Sequence, residues 1–261
     1  MAVVLEARNL SKSFGAVTAA ANINASIEAD SVVGLIGSNG AGKTTFINMV
    51  TGYLQPTSGR VLYQNRDITG MKPRQVTRLG ICRSFQIPQL FNSLTVRESL
   101  FVGVGIAGRS PRAGALAKLS DQRALVDQLI ERFSLGPYAD QSAAMLPEGI
   151  RKLLDIAMAV AGRPVVLLLD EPTSGVSSDE KFRLMDMVMG ALKAEGVTVL
   201  FVEHDMDIVT RYTHRILAFY EGRIIADGDP QTVLQDAEVR RYVIGEQLHA
   251  ASPSESARAA H

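Results

Sequence analysis

Gly37-Ser38-Asn39-Gly40-Ala41-Gly42-Lys43-Thr44-Thr45 is the stretch that decides how this chain is read. Its spacing is G-x-x-x-x-G-K-[ST], and its flanks agree with that pattern. Before it, the apolar run Val32-Val33-Gly34-Leu35-Ile36 reads as a buried strand. After it, Phe46, Ile47, Met49 and Val50 fall on a helix from Thr44 to Val50 that Gly52 can cap. Strand, glycine-rich turn and helix, in that order, make a phosphate-binding loop. Glycines let the backbone wrap closely around an anion. Successive amide N–H groups and the positive end of the helix then face the phosphates. Lys43 can reach the β- and γ-phosphates, and the Thr44 hydroxyl can ligate Mg²⁺.

The chain has 261 residues, enough for one large domain or two small ones. Lys+Arg and Asp+Glu both count 27, so no global field favours nucleic acid or an anionic membrane. No nucleic-acid partner is expected. Cys82 is the only cysteine, which excludes an intrachain disulfide and suits a reducing compartment; it reads as a small buried hydrophobe. Glu6 and Arg8 interrupt the first apolar run, so no secretory leader is expected at Met1. No segment offers about 18 uninterrupted apolar residues, so any membrane association must come through a partner.

Residues 3–8, 22–28 and 60–64 read as short strands of a small antiparallel sheet beside the main one. Between the first two lies Phe14, which taken alone reads as a core residue but, set upstream of the loop, could stack on a base. Val76 to Phe85 leads to Gln86, and Pro88 should stop regular structure nearby. From Thr95 to about Phe133 the pattern is helical, opened by a capping box of Thr95 and Glu98. Gly103, Gly105, Gly108 and Pro111 interrupt it, and Asp121 to Phe133 resumes it. The region from about 87 to 160 reads as a helical insertion. In it Ile150, Leu153, Leu154, Ala157 and Val160 share one helix face, with Arg151, Lys152 and Asp155 on the other. Val165 to Leu169 is a continuous apolar run suited to a central parallel strand and ends in Asp170-Glu171-Pro172. The spacing of Phe182, Met185, Met189 and Leu192 predicts core packing. Val197 to Val202 is another buried strand, ending at Glu203-His204-Asp205. Ile216–Tyr220 and Arg223–Ala226 form a hairpin through Glu221-Gly222. The tail, 247–261, is rich in Ala and Ser and is expected to fray.

Polar groups thus end three apolar strands: the phosphate loop, Asp170-Glu171 and His204. Ligands of an open α/β sheet sit at the carboxyl ends of its strands, so the three can converge on one nucleotide. Asp170, expected to end the strand beside the loop, is placed to hold Mg²⁺. Glu171 can act as general base on a water near the γ-phosphate, and His204 can bond that phosphate and orient the water.

This order of glycine loop, Gln86, Leu-x-x-Gly, Asp-Glu-Pro and His resembles the ATP-binding cassette (ABC) ATPases over residues 4–246. The resemblance implies a P-loop NTPase of RecA-like α/β fold: a mostly parallel sheet core, an antiparallel β-subdomain and an inserted α-helical subdomain. It implies a head-to-tail dimer holding two ATP molecules, with a second cassette as partner in a homo- or heterodimer. On that likeness Phe14 is the adenine-stacking aromatic. Ser38, Asn39, Gly40, Ala41, Gly42, Lys43, Thr44 and Thr45 hold the nucleotide. Thr44, Gln86 and Asp170 serve Mg²⁺. Glu171, His204, Gln86 and Lys43 are the candidate catalytic residues. Leu35 to Thr45, Glu203-His204-Asp205-Met206 and the ending Val239 to Gly245 are most similar to the branched-chain amino acid importer branch, in the subunit type carrying Leu-Pro-x-Gly. That branch implies transmembrane permease subunits as partners, a periplasmic or surface solute-binding protein acting indirectly, and a peripheral place on the cytoplasmic face of the membrane. Branched-chain amino acids are the expected solute, with urea, short amides and aromatic acids left open.

Two departures from the family pattern stand out. Leu146-Pro147-Glu148-Gly149-Ile150 replaces the common Leu-Ser-Gly-Gly-Gln that meets the partner's ATP. Pro147 has neither hydroxyl nor N–H, and a hydrogen bond to a charged group is worth about 1.5–3 kcal/mol. Glu148 adds a charge that, at ~4 Å from a phosphate, repels by about 1 kcal/mol in water and about 4 at an effective dielectric of 20. Gly149 and a helix starting at Ile150 still present N–H groups and a positive end. Ser177 stands where aspartate usually bridges the dimer. The altered signature leaves a second expectation beside a transport ATPase: a regulatory module that dimerises on nucleotide with little hydrolysis. A DNA-repair or ribosome-associated cassette would carry long coiled-coil insertions or a second cassette, and a GTPase would carry Asn-Lys-x-Asp. None of these is present.

Overall fold

The computed structural model describes residues 2–107 and 119–245. The expected frayed tail, together with Gly108 and Pro111, lies outside the described residues. The chain opens with two long strands, β1 (Val3–Phe14) and β2 (Val17–Glu28), then β3 (Val32–Gly37), α1 (Lys43–Val50), β4 (Ser58–Tyr63) and β5 (Arg66–Asp67). Next come α2 (Pro73–Leu79), β6 (Ile81–Arg83), α3 (Val96–Ala107), α4 (Leu119–Arg132), α5 (Glu148–Ala161) and β7 (Val166–Asp170). The remainder is α6 (Ser178–Lys193), β8 (Thr198–Val202), α7 (Met206–Tyr212), β9 (Arg215–Tyr220), β10 (Arg223–Gly228), α8 (Pro230–Gln235) and a closing helical turn over 237–244.

Two sheets result. The antiparallel one has the order β2-β1-β4-β5. Its first strands run several residues longer than the alternation of apolar residues suggests, because they pair with each other beyond the part that packs on the core. The larger sheet has the order β10-β9-β3-β8-β7-β6; it is parallel throughout except for β10, which returns along β9 through Glu221-Gly222. Side chains alternate across a strand, so each central strand feeds two cores. Leu167, Leu169, Val199 and Phe201 face the layer of α5 and α6. Val166, Leu168, Leu200 and Val202 face α1 and the antiparallel sheet. Each such side chain contributes about 1.5–3 kcal/mol of apolar burial, which is why these strands are uniformly apolar. Met185 and Leu192 are buried in the first layer, with Phe182 and Met189 packed against it, as their spacing predicts. Cys82 is buried.

The capping box at α3 forms: Thr95 N–H donates to Glu98 Oε2 at 2.8 Å and Glu98 N–H donates to Thr95 Oγ1 at 3.1 Å. Gly103 and Gly105 do not interrupt this helix. A Cβ on Gly103 would lie 3.4 Å from Met158 O and 3.5 Å from Ala161 Cβ, so the glycine lets α3 and α5 approach closely. Helix α5 begins at Glu148, two residues earlier than expected, with Pro147 just outside it in an extended conformation. Its polar face is covered: Lys152 is 3% exposed and Asp155 9% exposed. That face packs on the segment after β6 and on the turn after β7, whose polar groups its charges satisfy.

Candidate active site

The phosphate loop bridges β3 and α1. The first helical bond of α1 runs from Phe46 N–H to Gly42 O at 2.9 Å, which leaves the amides of Lys43, Thr44 and Thr45 as first-turn donors. Gly42 has φ 104, and a Cβ there would sit 2.8 Å from Ala19 O. The start of β2 therefore lies against the loop, and Gly222 clamps both: Ala21 N–H donates to Gly222 O at 2.8 Å and Gly222 N–H to Ala41 O at 2.9 Å. Lys43 is buried, and its Nζ donates to Gly37 O at 2.5 Å and Ser38 O at 3.0 Å. An ammonium has three donors, so one remains for an anion. Burial pushes this ammonium down from its ordinary value, while the charges of Glu171 and Asp170 hold it up.

A cavity of about 110 Å³ opens over this loop, lined by residues 39–45 together with Glu171, Val202 and His204. The register explains the convergence. Asp170 pairs with Val202, so the residues that follow β7 and β8 leave the sheet at one level. Glu171 adopts φ 48, an uncommon conformation for a non-glycine residue, and its side chain turns toward the loop. There Gln86 Nε2 donates to Glu171 Oε2 at 2.6 Å, and His204 Nε2 stands 2.8 Å from Glu171 Oε1. Both carboxylate oxygens are held, and each keeps a lone pair. Residues 86, 171 and 204 are thus brought together at the mouth of the loop.

Asp170 differs from expectation. Strand β8 separates β7 from β3, so Asp170 does not end the strand beside the loop. Its Oδ2 accepts from Arg83 Nη2 at 2.5 Å, and Arg83 Nη1 donates to Asn48 on α1 at 2.6 Å. Its second oxygen is left for another ligand. Phe14 is 53% exposed at the end of β1, with the Lys12 ammonium 4.9 Å from its ring centre; it is not a core residue. It does not line the cavity, but its hairpin is the one docked on the loop through Ala19. Thr44 is exposed over the cavity, as a metal-ligating hydroxyl needs to be.

Leu146 is buried, whereas Pro147 and Glu148 are exposed in the single chain. Arg151 N–H donates to Pro147 O at 2.9 Å, leaving the amides of Glu148, Gly149 and Ile150 free of helical partners. Ser177 Oγ donates to Glu180 Oε2 at 2.6 Å, a local contact at the start of α6.

A family model described as "ABC transporter" matches residues 20–174, more than half of the chain. The chain belongs to the ABC transporter family. This ABC cassette is 35% identical over 248 residues to the probable branched-chain amino acid transport ATP-binding protein LivG of Archaeoglobus fulgidus, covering 94% of this chain and 96% of that one. It is 32% identical over 250 residues to the high-affinity branched-chain amino acid transport ATP-binding protein LivG of Escherichia coli K12, with 93% and 98% covered. Among solved structures, the ADP conformation of an ATP-binding cassette of an ABC transporter matches with a TM-score of 0.82 at 33% identity, covering 94% of this chain and 100% of that chain. A nucleotide-free cassette from an ABC transporter gives 0.80 at 32%, with 92% and 98% covered. The cassette is a nucleotide-binding ATPase subunit with the P-loop fold.

No motif of an ABC cassette, as the family pattern is written above, marks Arg83, Lys152 or Asp155, and none gives Glu203 a role. Glu203 is 4% exposed and accepts from Thr173 N–H at 2.9 Å and Thr173 Oγ1 at 2.7 Å, tying the turn after β7 to the one carrying His204. Burial pushes its carboxyl up, opposed mainly by the Thr173 hydrogen bonds. The signal for Arg83 and Glu203 is a charge at the end of an apolar strand, which demands a partner without naming it, whereas Lys152 and Asp155 read only as a polar helix face.

Proposed function

We propose that this chain is the ATP-hydrolysing subunit of an importer that takes up branched-chain amino acids, or a related small polar solute, through separate permease subunits. The observation that carries the reading is the meeting of Gln86, Glu171 and His204 at the mouth of the phosphate loop. Lys43 and the first-turn amides bind the β- and γ-phosphates, with Ser38, Asn39, Gly40, Ala41, Gly42 and Thr45 shaping the cradle and Phe14 meeting the base. Glu171 takes a proton from the attacking water, the water oxygen bonds to the γ-phosphorus, and ADP leaves with the electron pair of the broken P–O bond. Gln86 and His204 hold the carboxylate and orient the water.

Among the described residues no group of three or more His, Cys, Asp or Glu could hold a metal by itself. The Thr44 hydroxyl, the Gln86 amide oxygen and the second Asp170 oxygen are hard donors that suit Mg²⁺ once phosphate oxygens complete the set. When bound, Mg²⁺ supplies neutralisation of phosphate charge.

This chain contributes Leu146 to Gly149 across the interface to the ATP site of a second cassette, identical or not. In a heterodimer with a fully matched subunit, the site built on Lys43 and Glu171 is the strong one. Residues 1–246 form the cassette, and its helical insertion, about 87–160, docks the permease. A cavity of about 550 Å³ between Tyr53, Phe85, Ile106 and Met158 supports that placement. The protein is then held at the cytoplasmic face by the permease, since among the described residues no helix is long and apolar enough to cross a membrane. A solute-binding protein acts outside this chain.

The transport names of the relatives favour this reading over a nucleotide-dependent regulatory module. Glu171→Gln tests it: phosphate release should be abolished with ATP still bound, whereas unchanged release would return the regulatory module. Thermal-shift screening of the binding protein encoded beside it, against branched-chain amino acids, urea, short amides and aromatic acids, names the solute.

A further inference from the structure

Lys152 and Asp155 are buried charges on α5 outside the nucleotide cavity. Asp155 Oδ2 accepts from Phe85 N–H at 3.2 Å and its Oδ1 accepts from Gln89 N–H at 3.3 Å. One carboxylate therefore holds both ends of the segment that carries Gln86. That segment needs an anchor: Ser84, bonded to Leu168 O at 2.9 Å, is its last tie to the sheet, and α3 begins only at Val96. Lys152, three residues earlier on the same helix, donates from Nζ to the main-chain oxygen of Glu171 at 2.9 Å. Glu171 O also accepts from Ser174 N–H at 3.1 Å, so the backbone that holds the left-handed Glu171 is fixed on both sides.

We propose that Asp155 and Lys152 are positioning residues for hydrolysis: from one helix, the first sets the Gln86 segment and the second sets the backbone of Glu171, so that amide and carboxylate meet at 2.6 Å. The inference rests on the reading of Gln86 and Glu171 as groups that act at the γ-phosphate. Helix α5 opens with Glu148 and Gly149, which the family likeness assigns to the partner's nucleotide. A displacement of that helix by the opposite site is transmitted to this chain's own Gln86 and Glu171 through two side chains. The cost of burying both charges is explained by this role. Burial raises the Asp155 carboxyl to about 6, against the two backbone N–H groups and the Lys152 charge that stabilise the ionised form. Burial lowers the Lys152 ammonium, against Glu148, Glu203, Glu171 and Asp155.

The test is a double-mutant cycle on the purified protein, paired with its partner cassette if turnover requires one. Asp155→Asn should lower kcat about tenfold or more while KM for ATP and the affinity for ADP stay within about twofold, because the phosphate loop is untouched. In a Gln86→Ala background the same change should lower kcat less than about twofold, since its target is already gone. Lys152→Met should also lower kcat with ADP affinity kept; its target is the Glu171 backbone, so the loss should persist in the Gln86→Ala background, and Lys152→Arg, which keeps a donor, should restore turnover to within about threefold. This second pair carries the test if Asp155→Asn does not fold. For Asp155→Asn equal losses with and without Gln86, or for either residue a fall in ADP affinity that matches the fall in kcat, would mean a purely structural role and overturn the proposal. If Gln86→Ala itself leaves kcat unchanged, the reading of Gln86 fails first and the inference falls with it.

Discussion

The phosphate loop and the rim around Glu171 line one cavity but are built in opposite ways. The loop is made of consecutive residues. Its glycine conformations, its helix start and the carbonyls that hold Lys43 all lie between Gly37 and Phe46. The rim is made of residues 86, 171 and 204, each contributed by a different crossover of the sheet and locked by buried charges from elsewhere. Local geometry suffices to bind an anion, because amides and a helix end are present wherever the turn forms. Aligning a base, an amide and an imidazole on one water needs the whole sheet, because small displacements cost large factors in rate.

The sharpest way to break this contrast is a change in the rim that disturbs binding. His204→Ala removes the contact at Glu171 Oε1 and should lower kcat about 10²-fold or more, with nucleotide affinity unchanged. Single-turnover phosphate release and fluorescent-ADP titration separate the two, and a matching loss of affinity would show that loop and rim are not independent.

The next effect concerns the rim's supports. Asp155 ordinarily titrates near 3.8 and is raised by burial to about 6. Between those values the folded protein keeps a proton that the unfolded chain has released. The contribution of this group to stability therefore falls as pH rises through that window and stays low above it. The span corresponds to about 3 kcal/mol. Asp155→Asn cannot titrate, so its stability relative to the parent should improve by up to about 3 kcal/mol between about pH 4 and about pH 7 in urea unfolding. A difference independent of pH would place the carboxylate in water. With the expected loss of kcat, this variant would be a case of stability exchanged for activity.

The smallest effect belongs to the loop. Lys43→Met removes one charged donor to phosphate, worth about 1.5–3 kcal/mol, so ADP affinity should fall about 10- to 100-fold by calorimetry. A loss of turnover at saturating ATP with affinity intact would move Lys43 from the loop's role to the rim's.

The residues legible in the sequence follow the same division. The phosphate loop, the Thr95–Glu98 cap, the 215–228 hairpin and the apolar central strands each depend on neighbours in the chain, and each forms as its pattern predicts. Glu171 and His204 were legible as polar groups at strand ends, since parallel strands deliver their carboxyl ends to one edge. Helix α5 starts two residues before Ile150, because the apolar period marks only its buried face while Pro147, just outside it, sets its first turn. Gly103 reads as a break in a helix, yet it is the contact that brings α3 to α5.

By itself the sequence determined the fold class, the phosphate loop and the polar groups that end the apolar strands, because periodicity and turn chemistry act over a few residues. Only the tertiary structure decided the strand order that puts β8 between β3 and β7, the pairing of Arg83 with Asp170, and the burial of Lys152 and Asp155. The physical reason is that a helix face is recognised as polar from its own period, but whether it meets water or another segment's unsatisfied amides depends on what the rest of the chain packs against it.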